Sequence, residues 1–218
     1  MPSPPRRPPT RIFVTRHGQT EGNRDGVFCG HSETPLTGLG REQARALCRR
    51  LACTRIDAVY TSDLSRATET AALALEGRGL TPRADPALRE LCYGEWELQK
   101  ERLIARSHPG QFRLMRAEDP AWQPPGGETV LAVRARMLAA LRRIAGRHRG
   151  QNVLIVSHGT AIQCLFAGVL GMAPAYTFRF ASSNCGLSEL RMRRGVPYVV
   201  ALNETAHLAG LLPAAKDE

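Results

Sequence analysis

Two short apolar runs in this chain end on the same dipeptide, His-Gly, and that repetition narrows the possible folds more than any other feature. Ile12-Phe13-Val14-Thr15-Arg16 runs into His17-Gly18, and Val153-Leu154-Ile155-Val156-Ser157 runs into His158-Gly159. Short apolar runs bounded by glycine read as buried strands of a parallel sheet. In open α/β sheets, ligands bind in the crevice beyond the carboxyl ends of the strands. Both imidazoles are therefore expected to open onto one crevice. A lone strand-end histidine is more often structural, but two delivered alike, one with Arg16 beside it, point to chemistry.

A third strand end belongs to the same pattern. Ile56-Asp57-Ala58-Val59-Tyr60-Thr61 leads into Ser62-Asp63-Leu64-Ser65-Arg66. With Ser62 or Asp63 as N-cap, Arg66 falls in the first turn of the next helix, where helix N-termini favour anions. Alone it reads as a solvated arginine; converging with Arg16, His17 and His158, it reads as part of an anion clamp.

At 218 residues and 43% hydrophobic content the chain can bury one sizeable core. Strands are expected near 11–16, 56–61, 81–85, 152–157, 185–192 and 197–202. Helices are expected near 37–52, 63–76, 128–148 and 159–170, with shorter ones between 98 and 118. That alternation is an α/β layer architecture. One domain over residues 11–206 is expected, with an extended Pro/Arg-rich arm at 1–10 and a frayed tail at 207–218.

Arg16-His17-Gly18-Gln19-Thr20-Glu21-Gly22-Asn23 resembles the signature of the histidine phosphatase superfamily, in its phosphoglycerate-mutase-like branch. The resemblance continues through Thr34-Pro35-Leu36-Thr37, Thr61-Ser62-Asp63-Leu64-Ser65-Arg66-Ala67, Leu88-Arg89-Glu90-Leu91, Pro125-Gly126-Gly127-Glu128-Thr129 and Ser157-His158-Gly159, in the family's order. It covers roughly residues 11 to 192. It implies a three-layer α/β/α fold, with a mostly parallel sheet and helices on both faces.

The resemblance also implies roles. His17 is the nucleophile, forming a phosphohistidine that splits one hard displacement into two easier ones. Arg16 and Arg66 offer planar forks of donors to phosphate oxygens. Asn23 adds a neutral donor, and His158, if protonated, adds a donor and a charge. Glu90 matches the family's acidic residue and is the expected general acid, later the base that activates water. Gln19, Thr20, Gly159 and Thr160 are expected to line the site. Glu128 reads as a helix-capping carboxylate, Trp96 and Trp122 as pocket wall or core, and His31, His108, His148 and His207 as surface residues.

Competing motifs are weak. Gly38-Leu39-Gly40 follows a loop, and no Gly-x-x-x-x-Gly-Lys loop, His-Glu-x-x-His or Cys-x-x-Cys occurs. No metal and no cofactor are expected. Cys185-Gly186-Leu187-Ser188-Glu189-Leu190-Arg191 has the Cys-x5-Arg spacing of cysteine-dependent phosphatases. Glu189 inside that loop would repel phosphate, and the alternation of Leu187, Leu190 and Met192 reads better as a strand.

The net charge of +10 comes from arginines scattered along amphipathic helices, so a solvated face explains it better than nucleic-acid binding. No run is long enough to cross a membrane and no signal peptide is evident. A cytoplasmic protein with reduced thiols is expected, as monomer or homodimer. Substrate choice is expected from a short lid at about 95–125, carrying Arg102, Arg106, His108, Arg113 and Arg116. That lid lacks an Arg-Arg or Lys-Arg pair, and Gly159-Thr160 stands where mutases of the family have Gly-Asn. These departures favour a phosphatase acting on a small phosphorylated metabolite: a sugar phosphate, a phosphoglycerate derivative or an α-ribazole phosphate type. A phosphoglycerate-type mutase is the alternative, and a catalytically idle phosphate-binding protein the third reading.

Overall fold

The computed structural model describes residues 8–212. Most of the arm expected over 1–10, and the end of the chain from 213, lie outside the described residues. The strands are β1 (Arg11–Arg16), β2 (Ala58–Thr61), β3 (Arg83–Ala84), β4 (Asn152–Ser157), β5 (Leu187–Arg193) and β6 (Val196–Glu204). They form one sheet in the order β3-β2-β4-β1-β5-β6. The first four are mutually parallel, β5 is antiparallel to β1, and β6 is antiparallel to β5. The helices are α1 (Glu21–Asp25), α2 (Gly38–Leu51), α3 (Ser65–Ala74), α4 (Glu101–Ser107), α5 (Pro109–Arg116), α6 (Val130–Arg147) and α7 (Gly159–Val169).

Strand pleating sorts the core into two layers. Ile12 and Val14 of β1, with Val153 and Ile155 of β4, pack against Val133, Met137, Leu141 and Ile144 of α6 and Ile162, Leu165 and Phe166 of α7. Phe13, Leu154 and Val156 face the other way, onto Ala44, Leu47 and Leu51 of α2 and Ala67, Ala71 and Ala74 of α3. Helices thus cover both faces of the sheet, which is the three-layer α/β/α arrangement.

Register sets the site. Arg16 lies opposite Ser157 across the β1–β4 ladder, and the His17 N–H donates to the Ser157 carbonyl at 3.0 Å. The two His-Gly pairs therefore emerge side by side at the carboxyl edge. Just beyond, the chain presses backbone on backbone: a Cβ on Gly18 would fall 2.3 Å from the Gly40 carbonyl oxygen, and one on Gly40 2.1 Å from that of Gln19. Only glycine fits at either position.

Several local expectations are corrected. The N-cap of α3 is Leu64, not Ser62 or Asp63; Asp63 is paired with Arg89 at 2.6 Å, and the exposed Glu33 carboxylate accepts the Ser65 N–H instead. Thr129, not Glu128, caps α6. His148 is not a surface residue: its Nε2 meets the Tyr60 hydroxyl at 3.0 Å in a buried contact. The fraying expected from 207 does not begin there. Leu208 is buried against the α2 side of the core and Gln43 donates to the Leu211 carbonyl at 2.8 Å. Among the described residues, no helix is long and apolar enough to cross a membrane.

Candidate active site

Beyond the carboxyl ends of β1 and β4 lies a cleft of about 310 Å³. Arg16, His17, Asn23, Arg66, Glu90, Gly159 and Thr160 line it, so seven of the sequence candidates converge there. His158 stands behind its floor, fully buried, with its ring 5.1 Å from that of His17, centroid to centroid.

Hydrogen bonds settle which nitrogens are available. His17 Nδ1 lies 2.7 Å from the Gly18 carbonyl oxygen, an acceptor only, so Nδ1 carries the proton and Nε2 keeps its lone pair. Arg66 Nε–H donates to His158 Nδ1 at 3.2 Å, so the proton of that ring sits on Nε2. His158 Nε2 is buried and has no partner among the described residues. Burial, then the charges of Arg66 and Arg16, holds the His17 pKa well below the usual imidazole range. Burial, then Arg66, His17 and Arg16, does the same to His158. The sequence left the protonation of His158 conditional; desolvation beside two guanidinium groups lowers its pKa, and Nε2–H is the donor it has to offer.

Arg66 is not solvated. It is 1% exposed, and its terminal nitrogens donate to the carbonyls of Gly30 at 2.6 Å and Ser32 at 2.8 Å. Arg16 donates to the Ser182 carbonyl at 2.8 Å and keeps a buried, unpartnered Nε. Asn23 accepts through its carboxamide oxygen from the Thr20 N–H and from Asn184, leaving its NH₂ as a donor.

Glu90 does not pair with its neighbour Arg89. Its carboxylate accepts from the N–H groups of Leu91 at 2.8 Å, Ala161 at 3.0 Å and Thr160 at 3.1 Å, which puts it at the N-terminus of α7. There its oxygens satisfy two of the N–H groups that the first turn of the helix leaves without partners.

Gln19 and Thr20 do not reach the cleft. Thr20 caps α1 in a reciprocal capping box with Asn23, and Gln19 is tied to Gln43 and Thr37. None of Arg102, Arg106, His108, Arg113 and Arg116 lines the cleft either. Trp96 and Trp122 are core, 0% and 3% exposed.

Three residues escaped sequence reasoning. Tyr93 lines the cleft with its hydroxyl 3.0 Å from Thr160 Oγ1, and burial pushes its pKa up. Glu97 accepts from the backbone of His31, Ser32 and Tyr93, pinning the loop whose carbonyls hold Arg66. Arg136 of α6 pairs with Glu128 and donates to the carbonyls of Ala87, Arg89 and Glu90. Cys185, the rival nucleophile, is fully buried with its thiol pushed up to about 12 by desolvation, at the entry to β5.

A neutral imidazole between two guanidinium groups, at the carboxyl edge of a mostly parallel sheet, defines an α/β protein that handles phosphoryl groups. The family is specific: the model of the histidine phosphatase superfamily (branch 1) matches residues 12–205, and the chain belongs to that family. By class it is a phosphoric monoester hydrolase. It is similar to the adenosylcobalamin/alpha-ribazole phosphatase of Salmonella typhimurium, 33% identical over 90% of this chain and 97% of the relative. It is also similar to the probable phosphoglycerate mutase GpmB of Serratia proteamaculans, 39% identical over 83% of this chain and 84% of the relative. Among solved structures, Bacillus stearothermophilus YhfR superposes with a TM-score of 0.88 at 30% identity, covering 91% of this chain and 99% of that one.

Proposed function

We propose that the chain hydrolyses phosphate monoesters of small metabolites through a covalent phosphohistidine at His17, without a metal ion. The observation that carries this reading is the His17 tautomer. Nδ1–H is committed to the Gly18 carbonyl at 2.7 Å, so a neutral Nε2 lone pair remains, flanked by the guanidinium groups of Arg16 and Arg66.

In the first step Nε2 attacks phosphorus, the N–P bond forms and the ester P–O bond breaks. The leaving oxygen takes a proton from Glu90. In the second step Glu90 takes a proton from water as the water oxygen attacks phosphorus and the N–P bond breaks, releasing phosphate and restoring neutral His17. Arg16, Arg66, the Asn23 amide and the His158 Nε2–H carry the charge on the phosphoryl oxygens throughout. Those groups supply the electrostatic work that a metal would otherwise do. The setting in this reading is the cytoplasm, where the six cysteines, all unpaired, stay reduced.

Similarity to the GpmB relative favours a mutase as the second reading. A mutase must handle a bisphosphate, whereas Arg16 and Arg66 are the cationic side chains of this cleft, enough for one phosphoryl group. The test is phosphate release from a panel of phosphorylated metabolites in EDTA, with His17→Ala alongside and acid-labile, base-stable label counted as a check on the covalent step. Release that survives EDTA and vanishes in His17→Ala is expected. Retained turnover in His17→Ala sinks the nucleophile; loss in EDTA restored by a divalent cation sinks the metal-free mechanism. Interconversion of phosphoglycerates without release gives the reaction to the mutase.

A further inference from the structure

Arg66 and Glu90 sit on separate stretches of chain. Arg66 lies in the first turn of α3, whereas Glu90 lies in the irregular segment between β3 and α4. One tripeptide meets both. The Gly30 and Ser32 carbonyls accept from the two terminal nitrogens of Arg66, at 2.6 Å and 2.8 Å. Between them His31 reaches the other way, and its Nε2 lies 2.9 Å from the Glu90 carbonyl oxygen. That carbonyl can only accept, and the Glu128 carboxylate is 3.9 Å from the same nitrogen, so Nε2 carries the proton and donates. The His31 ring, expected at the surface, is partly buried in this position.

The tripeptide is itself held. Glu97 accepts the N–H groups of His31 at 2.9 Å and Ser32 at 2.7 Å, and also that of Tyr93 at 3.1 Å, in the segment that carries Glu90. Gly30 turns through φ +49°, the left-handed region that favours glycine, and brings the loop onto that carboxylate.

We propose that His31 is a positioning residue that couples the two halves of the site. It fixes the Glu90 backbone relative to the loop that grips Arg66, so that the acid faces the oxygen leaving the clamped phosphoryl group. The inference rests on reading Glu90 as the acid. His31 does not line the cleft, so it acts through Glu90 and not on phosphate. Removing its donor leaves no buried orphan, because Arg136 also donates to the Glu90 carbonyl, at 2.7 Å. Arg136 ties that carbonyl to α6; His31 ties it to the Arg66 loop.

The experiment compares His31→Leu, which keeps bulk and lacks the donor, with His31→Gln, whose amide nitrogen can reach the same carbonyl. With an alkyl phosphate, His31→Leu is expected to lower kcat about tenfold and His31→Gln to stay within about threefold of wild type. His31→Asn, whose amide falls short of the carbonyl, is the second donor-deficient variant and is expected to behave like His31→Leu. Orthophosphate inhibition, which reads the clamp alone, is expected to change less than about twofold in all three. With 4-nitrophenyl phosphate, whose leaving group needs no proton, the first step measured by rapid quench is expected to change little. In a Glu90→Gln background, His31→Leu is expected to add no further loss on the alkyl ester. Wild-type rates in His31→Leu and His31→Asn overturn the role, as do equal losses in His31→Gln, equal losses on the two esters, or a full further loss in the Glu90→Gln background. If Glu90→Gln alone leaves alkyl phosphate turnover unchanged, the acid reading fails instead, so the two failures are distinguishable.

Discussion

Arg66 and His158 are joined by a buried hydrogen bond of 3.2 Å, Nε–H to Nδ1, and that contact sets the donor capacity of both. It leaves the imidazole proton on Nε2, while the same guanidinium anchors the carbonyls of Gly30 and Ser32. A lysine has one nitrogen and cannot meet three acceptors in this fork. Arg66→Lys is therefore expected to lower kcat/KM for an aryl phosphate by roughly 10²–10³-fold, the size of losing one preorganised oxyanion donor. Steady-state hydrolysis is the measurement. A loss below about fivefold would mean that a point charge suffices and the fork is not used.

Two buried neutral histidines also make stability depend on pH. The folded pKa values of His17 and His158 lie below the 6.5 of a free imidazole, through burial first and the arginines second. As pH falls below 6.5 the unfolded chain binds protons that the folded chain does not, so unfolding becomes more favourable. The stability contributed by keeping the rings neutral is full above that value and is lost as pH drops towards the folded pKa. At pH 5.5 each ring is expected to lower stability by at most about 1.4 kcal/mol, the limit set by an unfolded pKa of 6.5. His207, also lowered by burial, acts in the same direction. The lowered carboxylates Asp63, Glu97, Glu128 and Glu189 lose their contribution only below the carboxylate range. Urea midpoints at pH 7.5 and 5.5 thus isolate the histidines, and His158→Gln is expected to remove about half of the drop due to His17 and His158. Identical stability at the two pH values would mean that these rings take up protons in the folded protein as readily as in the unfolded chain.

What the sequence revealed follows from how local each cause is. The strands at 11–16 and 152–157 and the helix at 159–169 are legible because β-branched runs, glycine and helical periodicity act over a few residues. The pairing of His17 with His158 was legible too, because both follow the same kind of strand. Gln19 and Thr20 misled because proximity to His17 in the chain is not proximity to the cleft. The turn after β1 commits Thr20 to a cap and Gln19 to the α2 side. Tyr93, Glu97 and Arg136 were missed since their roles depend on contacts 46 to 67 residues away, as with Arg136 to the Glu90 carbonyl and Tyr93 to Thr160. No spacing rule encodes such meetings.

Arg136 is a positioning residue for Glu90. It donates to the carbonyls of Arg89 and Glu90 at 2.7 Å each, and its partner Glu128 accepts the Cys92 N–H at 3.0 Å, so the segment bearing Glu90 is gripped from both sides. Arg136→Met is expected to lower kcat for alkyl phosphates by about tenfold or more, while orthophosphate inhibition changes less than about twofold. Leaving Glu128 without its partner also costs stability, so Glu128→Gln combined with Arg136→Met serves as control. Equal losses in kcat and in phosphate affinity would assign Arg136 to general structure rather than to the placement of the acid.

Glu90 itself gives the sharpest test, because it has two separable duties. As a cap it accepts the Thr160 and Ala161 N–H groups at the start of α7, besides that of Leu91; in the proposed mechanism it is also the acid that delivers a proton to the leaving oxygen. Glu90→Gln keeps the shape and one acceptor oxygen but loses the charge at the helix N-terminus, which is expected to cost about 0.5–2 kcal/mol of stability. The catalytic loss depends on the ester. An alkyl phosphate, whose alkoxide cannot leave unprotonated, is expected to slow by roughly 10²–10⁴-fold. For 4-nitrophenyl phosphate, whose leaving group needs no proton, a loss under about tenfold is expected when the first step is measured by rapid quench. A plot of log kcat/KM against leaving-group pKa is then steeper for the variant than for the wild type. Parallel lines would remove Glu90 from proton transfer and leave it as the cap of α7 alone.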